Sequence, residues 1–329
     1  MLIDTFELAI FVPSRLDGRA LEAVVTFTVA RPYAPTDTDT RAHSDAPANQ
    51  PVDSNRAIVF LHPYAPLGGR FQNKVIADID SHLGRRVALT VAFNLRGAGR
   101  SEGRTSWTGV AEQEDLRSIL DMLSSRKLLL HPDRHPAAAR RSLLLQMQAR
   151  GFLDANADVD ALDGVPLPSV ASTLLCGYSY GAMISAAIAP TEYPLLAIDY
   201  AHISYPYGVV WALALHKRSW YLQRIADSVA AAAAAHAAGA EHASRTLFVA
   251  GTCDSYTSIA AYSRWWDQLW ACAVQAVTSA VSAANDAESL EAAAQAVAVV
   301  RVPNADHGWI RREADIVDAI EAWWWQPRS

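Results

Sequence analysis

Cysteine is scarce in this chain of 329 residues, in which only Cys176, Cys253 and Cys272 occur. Three widely separated cysteines are too few for a disulfide framework, and their spacing is not that of zinc ligands. We therefore expect reduced thiols. Cys176 and Cys253 come just before two candidate catalytic turns, where we expect both thiols to be buried as small apolar groups.

An excess of basic residues is also missing, because 28 Lys and Arg stand against 34 Asp and Glu, which gives a formal net charge of −6. A nucleic-acid-binding domain usually carries a basic stripe, so nucleic acid is not an expected partner. The residues are 51% hydrophobic and 19% charged. This composition indicates a globular protein and excludes disordered or fibrous chains.

The sequence has no uninterrupted apolar run of about 20 residues, the length that crosses a bilayer. Glycine, aspartate and proline interrupt the two most apolar stretches, 170–188 and 195–215. The N-terminal region carries Asp4 and Glu7, whereas a signal peptide has basic residues there. We therefore predict no membrane span and a cytoplasmic location.

Apolar runs that alternate with helical segments indicate an α/β fold. The runs lack polar alternation, which is typical of parallel strands buried on both faces, and the sequence therefore predicts a doubly wound, mostly parallel sheet. Two β-rich runs near the N-terminus, joined by a turn, predict an antiparallel pair of strands. The predicted strands are 6–12, 21–30, 57–61, 87–93, 172–176, 195–200, 246–250 and 296–302, and clear helical segments are 110–123 and 313–325.

Three stretches, 124–170, 208–244 and 259–295, are longer than the connections of such a sheet require. Strands of one sheet lie on both sides of each stretch, so we interpret residues 1–329 as a single domain with three insertions. The second stretch contains an alanine run, and alanine is the best helix former. We therefore predict that 208–244 forms a helical lid.

Ser179 stands in a Gly-x-Ser-x-Gly pattern, Gly177-Tyr178-Ser179-Tyr180-Gly181, between an apolar run and a helix-like segment. A strand-to-helix turn of this kind exposes the serine hydroxyl, and its glycines let the strand and the helix approach each other. The pattern alone also fits an ordinary tight turn. The strand-turn-helix context favours a nucleophile.

A serine nucleophile needs a histidine base and a carboxylate that orients it. Asp254 and His307 each follow an apolar run downstream, which gives the order nucleophile, acid, base at the carboxyl ends of strands. Alternatives remain for both partners. Asp254 could instead cap the next helix, Asp199 could be the acid at the end of the preceding strand, and His307 could be an ordinary loop histidine.

Together these features resemble the α/β-hydrolase superfamily, over nearly the whole chain from about Phe6 to Trp325. The resemblance implies a serine hydrolase that acts on esters or related acyl compounds. Besides the Gly-x-Ser-x-Gly turn, it rests on three ordered motifs, which are His62-Pro63 with Gly68-Gly69, then Asn73-Lys74, then Asn94-Leu95-Arg96-Gly97-Ala98-Gly99-Arg100-Ser101.

Two backbone amides are needed to stabilise the oxyanion that forms in acyl transfer. The residue after the nucleophile, Tyr180, supplies one N–H. Pro63 has no N–H to donate. The resemblance places the second donor at Tyr64, with Ala65 as the alternative, and the Tyr64 ring could form a wall of the acyl pocket.

Other patterns do not support a bound cofactor or metal. Gly97 and Gly99 lack the third glycine of a dinucleotide-binding loop, since Glu102 stands at its position, and we predict a structural turn. Two prolines disfavour a helix that would bring His131 and His135 together as ligands, and we predict a surface loop there. The calcium-like segment 154–165 lacks the glycine and the glutamate of a calcium loop.

The predicted activity is hydrolysis of a carboxylic ester or related acyl compound through an acyl-enzyme, and the substrate is small and partly apolar. Trp211, Trp220 and Trp309 are candidates for the pocket wall, although packing is the commoner role of such residues. The same triad could cleave a carbon–carbon bond of a β-dicarbonyl compound. A binding protein without catalysis is a further alternative, and the sequence leaves the oligomeric state open.

Overall fold

The computed structural model describes residues 2–31, 51–280 and 286–326. Eight strands form one sheet in the order β1-β2-β4-β3-β7-β8-β9-β10, and β5 and β6 pair separately. The strands are β1 Leu2–Pro13, β2 Ala20–Arg31, β3 Asp53–Leu61, β4 Val87–Phe93, β5 Lys127–Leu128, β6 Val165–Pro166, β7 Ser172–Tyr178, β8 Ala197–Ile203, β9 Thr246–Gly251 and β10 Val297–Val302.

The first two strands form the antiparallel pair that the sequence predicts. Phe6 lies opposite Phe27 in the register, and Gly18 turns the chain between the strands with a φ of 72°. Side chains along β1 alternate between buried and exposed from residue 5 to residue 10, because one face of a half-covered strand packs on the core. β2 also pairs antiparallel with β4, and the remaining neighbours in the sheet are parallel.

Helices cover both faces of the sheet and bury two apolar clusters. On one face, Ile76, Ile316 and Trp324 pack against strand residues such as Ile58 and Val249. The larger cluster lies on the other face. The helices are α1 Lys74–Leu83, α2 Val110–Ser125, α3 Ala137–Ala149, α4 Tyr180–Ser185, α5 Val210–Ala214, α6 Arg218–Ala237, α7 Ile259–Ala280, α8 Asp286–Ala296 and α9 Glu313–Trp324.

The apolar runs of the sequence coincide with the sheet strands, with one shift that matters. The run predicted at 195–200 forms β8 at Ala197–Ile203, so Asp199 is the third residue of the strand and not its end. The strand is fully buried, yet it contains His202 in its interior. The predicted run begins two residues before the strand and ends three residues short of its end.

The three long connections contain most of the remaining helices. Residues 124–170 hold α3 and the β5–β6 pair, 208–244 hold α5 and α6, and 259–295 hold α7 and α8. Tyr221 and Val229 of α6 are fully buried in the larger cluster. The second connection is therefore helical and is packed on the core along one face.

The cysteines only partly follow the expectation. Cys176 is completely buried, and burial raises the pKa of its thiol. Cys253 is exposed, so the prediction of a buried thiol is wrong there. Its backbone N–H donates to the Ala305 carbonyl oxygen at 2.9 Å. None of the described helices combines the length and the apolarity that a bilayer crossing requires.

Candidate active site

Ser179 occupies a strained turn between β7 and α4. Its φ is 55° and its ψ is −114°, a backbone conformation that is costly for a residue with a Cβ. The Ser179 N–H donates to the Ile203 carbonyl oxygen at the end of β8, and its own carbonyl oxygen accepts from Ala182. The turn is thereby fixed at the carboxyl edge of the sheet.

The two glycines of the turn are required by close contacts. A Cβ on Gly177 would lie 2.6 Å from backbone atoms of Ala182, and a Cβ on Gly181 would lie 2.3 Å from the Leu61 carbonyl oxygen. Real Cβ atoms do not approach backbone so closely. The glycines therefore let α4 pack directly on the ends of β7 and β3.

The structure brings Ser179, Asp254 and His307 together, although 128 residues separate the serine from the histidine. His307 Nε2 lies 3.0 Å from Ser179 Oγ, and His307 Nδ1 lies 2.8 Å from Asp254 Oδ2. An ionised carboxylate only accepts hydrogen bonds, so Nδ1–H donates to Asp254. This tautomer leaves Nε2 free to accept the serine hydroxyl proton.

Asp254 is held by contacts to both carboxylate oxygens. Oδ1 accepts from the backbone N–H groups of Tyr256 at 2.8 Å and Thr257 at 3.1 Å, while Oδ2 faces His307. Asp254 therefore fills both roles at once, because Oδ1 caps the turn while Oδ2 is the partner of His307. The side chain of Asp254 is fully buried.

Asp199 lies elsewhere in the structure. It is fully buried near the start of β8, where Oδ1 accepts from the Arg245 backbone N–H at 2.9 Å. Oδ2 accepts from the Trp324 indole N–H at 3.0 Å and lies 3.4 Å from the Arg245 guanidinium. Asp199 is thus part of a buried ion pair and is not near His307, because β8 carries it away from the carboxyl edge.

The proposed oxyanion loop lies against the serine turn. The rings of Tyr64 and Tyr180 meet edge to face with 5.0 Å between their centroids. Within the described part of the chain, the backbone N–H groups of Tyr64, Ala65 and Tyr180 donate to no protein acceptor. These N–H groups are therefore available, and the geometry keeps both Tyr64 and Ala65 as candidates for the second donor.

His62 links the oxyanion loop to the next loop of the sequence. Its Nδ1–H donates to the Pro63 carbonyl oxygen at 2.6 Å, and its Nε2 accepts from the Leu95 N–H at 3.0 Å. The ring is fully buried, and burial lowers the pKa of His62 to about 4. A neutral imidazole therefore fixes the start of the oxyanion loop.

The glycine-rich loop after β4 forms the structural turn that the sequence predicts. Gly97 and Gly99 both have positive φ, and a Cβ on Gly99 would lie 2.1 Å from the Asn94 amide nitrogen. Arg96 forms a buried bidentate ion pair with Asp115 of α2, at 2.9 and 2.6 Å. The motif holds the loop to the helix and to the β1–β2 hairpin.

Two aromatic residues at the histidine were not predicted from the sequence. The exposed Tyr256 ring meets the His307 ring edge to face with 4.4 Å between the centroids. The Tyr178 hydroxyl donates to the His307 carbonyl oxygen at 2.5 Å. Tyr178 lies inside the Gly-x-Ser-x-Gly motif, and Tyr256 lies two residues after Asp254. Their closeness to these residues in sequence could have indicated that both tyrosines lie near the site.

The three pocket candidates have different surroundings. Trp309 is completely buried, and its indole N–H donates to Ser204 Oγ at 3.0 Å. Its ring is packed in the apolar cluster on one face of the sheet, so the assignment to the pocket wall is wrong. Trp211 and Trp220 are exposed on α5 and α6.

No group of three or more potential metal ligands occurs in residues 2–31, 51–280 and 286–326. His131 is buried and donates through Nε2 to the Gly18 carbonyl oxygen at 2.9 Å. His135 Nε2 accepts from the Phe11 N–H. The loop is not helical and residues 132–134 and 136 are exposed, so it is the surface loop that the sequence predicts, and its two histidines tie it to the β1–β2 hairpin.

Several solved structures share this fold at low sequence identity. An α/β serine hydrolase without a lid from Xanthomonas campestris has 16% identity and a TM-score of 0.52, covering 96% of this chain and 94% of that one. A serine hydrolase homologue from Coxiella burnetii has 18% identity and a TM-score of 0.51, with 94% of both chains covered. The protein Est1E from Butyrivibrio proteoclasticus, with ferulic acid bound, has 13% identity and a TM-score of 0.52, covering 96% and 98%.

No protein-family model matches the sequence, and no curated protein matches it either. The similarity covers nearly the whole of this chain, with its antiparallel N-terminal strands and its mostly parallel sheet. The chain therefore has the α/β-hydrolase fold, as its sequence motifs predict.

Proposed function

We propose that this protein is a serine hydrolase that cleaves a carboxylic ester or a related acyl compound through an acyl-enzyme intermediate. The observation that carries the proposal is the position of His307 between Ser179 and Asp254, at 3.0 and 2.8 Å. Among the residues that the structure describes, His307 is the base within hydrogen-bonding distance of the Ser179 hydroxyl oxygen. The serine hydrolases that share the fold are in keeping with this activity.

In the first half of the reaction, Ser179 Oγ attacks the acyl carbonyl carbon while His307 Nε2 takes up the hydroxyl proton. Asp254 stabilises the imidazolium that results. The N–H groups of Tyr180 and Tyr64 donate to the oxyanion of the tetrahedral intermediate. When the intermediate collapses, the alcohol leaves with the proton from His307, and the acyl group remains on Ser179.

The second half reverses these roles with water as the nucleophile. His307 takes a proton from the water, the hydroxide attacks the acyl-enzyme, and the same two amides hold the second oxyanion. Collapse returns the proton to Ser179 Oγ and releases the acid. The nucleophile is a serine hydroxyl and not a carboxylate, which disfavours epoxide hydrolase and haloalkane dehalogenase chemistry.

Covalent labelling with a fluorophosphonate probe tests the proposal. The wild-type protein is expected to be labelled and to hydrolyse p-nitrophenyl acetate, whereas Ser179→Ala loses both properties. Ser185→Ala is a matched control, because Ser185 lies in the same helix and its hydroxyl bonds to the Ala182 carbonyl oxygen. Equal labelling of Ser179→Ala and the wild type would show that another residue is the nucleophile.

A further inference from the structure

Large apolar side chains are exposed around the serine. We define the apolar rim as Leu67, Trp107, Trp211, Leu215, Tyr256 and Ile310. Four of the five most exposed large apolar side chains in the described residues belong to it: Leu67 at 74%, Trp107 at 73%, Ile310 at 71% and Trp211 at 63%. Exposed apolar residues that cluster in one region mark an interaction surface.

The topology places all six rim residues at one edge of the sheet. They follow the carboxyl ends of β3, β4, β8, β9 and β10, while Ser179 follows β7. These strands are parallel to one another, so the segments after them meet at the same edge. Leu195, which is 77% exposed, precedes β8 and therefore lies at the opposite edge.

Contacts connect the rim to the catalytic residues on one side. Leu67 donates its N–H to the Tyr64 carbonyl oxygen at 3.1 Å, and the Tyr64 ring packs on Tyr180 beside the serine. The Tyr256 ring packs on the His307 ring, and Ile310 follows His307 by three residues. The rim thus begins directly at the triad.

Two further contacts close the rim on the other side. A Cβ on Gly208 would lie 2.3 Å from the Tyr256 carbonyl oxygen, which places the segment leading to Trp211 against the Tyr256 turn. The Tyr221 hydroxyl donates to the Thr108 carbonyl oxygen at 2.8 Å, so the segment after Trp107 touches α6.

The charge of the rim segments is opposite to that of the whole chain. The segments 62–73, 103–110, 204–220, 252–258 and 303–311 carry five Lys and Arg residues, whereas the whole chain has a net charge of −6. Their acidic residues are Asp254, which faces His307, and the exposed Asp306. The five basic residues are Arg70, Arg104, Lys217, Arg218 and Arg311.

An apolar surface edged by cations fits an anionic lipid interface, because apolar side chains enter the interface while Lys and Arg attract its headgroups. Lys217 lies over the Trp220 ring with 5.9 Å to the centroid, so a cationic group and an aromatic group are adjacent at this edge. A second copy of the chain would present the same positive charge and would be repelled.

We propose that the apolar rim docks the protein on an anionic phospholipid surface. Docking by this rim brings the catalytic site around Ser179 to the lipid. The proposed substrate is therefore a water-insoluble ester embedded in that surface. The choice of substrate rests on the proposed function, whereas the docking itself does not depend on catalysis.

Sedimentation with phospholipid vesicles tests the docking. The protein is expected to bind vesicles of phosphatidylglycerol and not vesicles of phosphatidylcholine, with binding weakened at 500 mM NaCl by charge screening. The double variant Trp107→Ser/Trp211→Ser is expected to lose about tenfold or more in vesicle affinity. Arg104→Gln is expected to lose about fivefold. Leu195→Ser, the control at the opposite edge, keeps wild-type binding.

Three results would overturn the docking proposal. They are the absence of binding to anionic vesicles, equal binding by the double variant and the wild type, and a rim-dependent dimer that binds no vesicles. The melting temperature shows that each variant is folded. Ser179→Ala binds vesicles like the wild type, so failure of docking and failure of the proposed hydrolysis give different results.

Discussion

Gly181 touches the end of the neighbouring strand, since a Cβ at this position would lie 2.3 Å from the Leu61 carbonyl oxygen. Leu61 is followed by His62, Pro63 and Tyr64 of the proposed oxyanion loop. The contact therefore sets the distance between the nucleophile turn and the loop that faces it. A residue that does no chemistry controls the geometry of the reacting centre.

Replacement of this glycine tests that role. Gly181→Ala must push α4 away from β3, and a displacement of about 1 Å can lower kcat by about 100-fold. Steady-state hydrolysis of p-nitrophenyl acetate measures the loss. Gly18→Ala is the control, because it has a positive φ but no atom within 4 Å of the added Cβ. An unchanged kcat in Gly181→Ala would contradict the argument.

Replacement of aspartate by asparagine is expected to have different effects at the two candidate acids, Asp254 and Asp199. Asp254→Asn removes the charge that holds the His307 tautomer, and kcat is expected to fall by about 10³- to 10⁴-fold with little loss of stability. Asp199→Asn removes the charge that pairs with the buried Arg245 and is expected to cost about 2 kcal/mol or more of unfolding free energy. Urea denaturation and steady-state kinetics on both variants measure the two effects. The reverse pattern would make Asp199 the acid.

The second oxyanion donor can be identified by removing an N–H group. Tyr64 has a φ of −58°, which proline also adopts. Tyr64→Pro and Tyr64→Ala both lack the ring, but only the proline variant lacks the N–H. If Tyr64 is the donor, kcat of the proline variant falls about 10²- to 10³-fold below that of the alanine variant. Equal kcat values for the two Tyr64 variants, together with a loss of kcat in Ala65→Pro, would assign the role of second donor to Ala65.

His62 is expected to make stability depend on pH. Burial lowers its folded-state pKa from 6.5 to about 4, so as the pH falls the unfolded chain takes up a proton before the folded one. The stabilisation that His62 contributes is fully present above pH 6.5. It is lost as the pH falls toward 4, which lowers the unfolding free energy by about 3 kcal/mol in total. Urea denaturation from pH 8 to 4 measures the difference in unfolding free energy between the wild type and His62→Gln. This difference would stay constant with pH if His62 did not contribute.

The sequence predicted the sheet well because continuous apolar runs have few alternatives to buried strands. The sequence also pointed to Ser179, Asp254 and His307, because short motifs at strand ends are local signals, and the structure places these residues within hydrogen-bonding distance. Tyr256 was missed as a neighbour of His307, since this contact joins the segments after β9 and β10 and leaves no pattern in either.

The errors have physical causes of the same kind. Trp309 follows His307 by two residues, but its ring is buried in the core. Cys253 precedes Asp254, but its thiol is exposed. In each case the position in sequence was close to the site, but closeness in sequence does not fix the direction of a side chain.

His307 follows an edge strand of the sheet, β10. Within the described residues, β10 pairs only with β9 and is half-buried along its centre, whereas β7 lies between β3 and β8 and is almost entirely buried. Edge elements with little burial open before the rest of a fold. We therefore expect heating to separate His307 from Ser179 through fraying of β10, so that activity is lost at a lower temperature than the global unfolding transition.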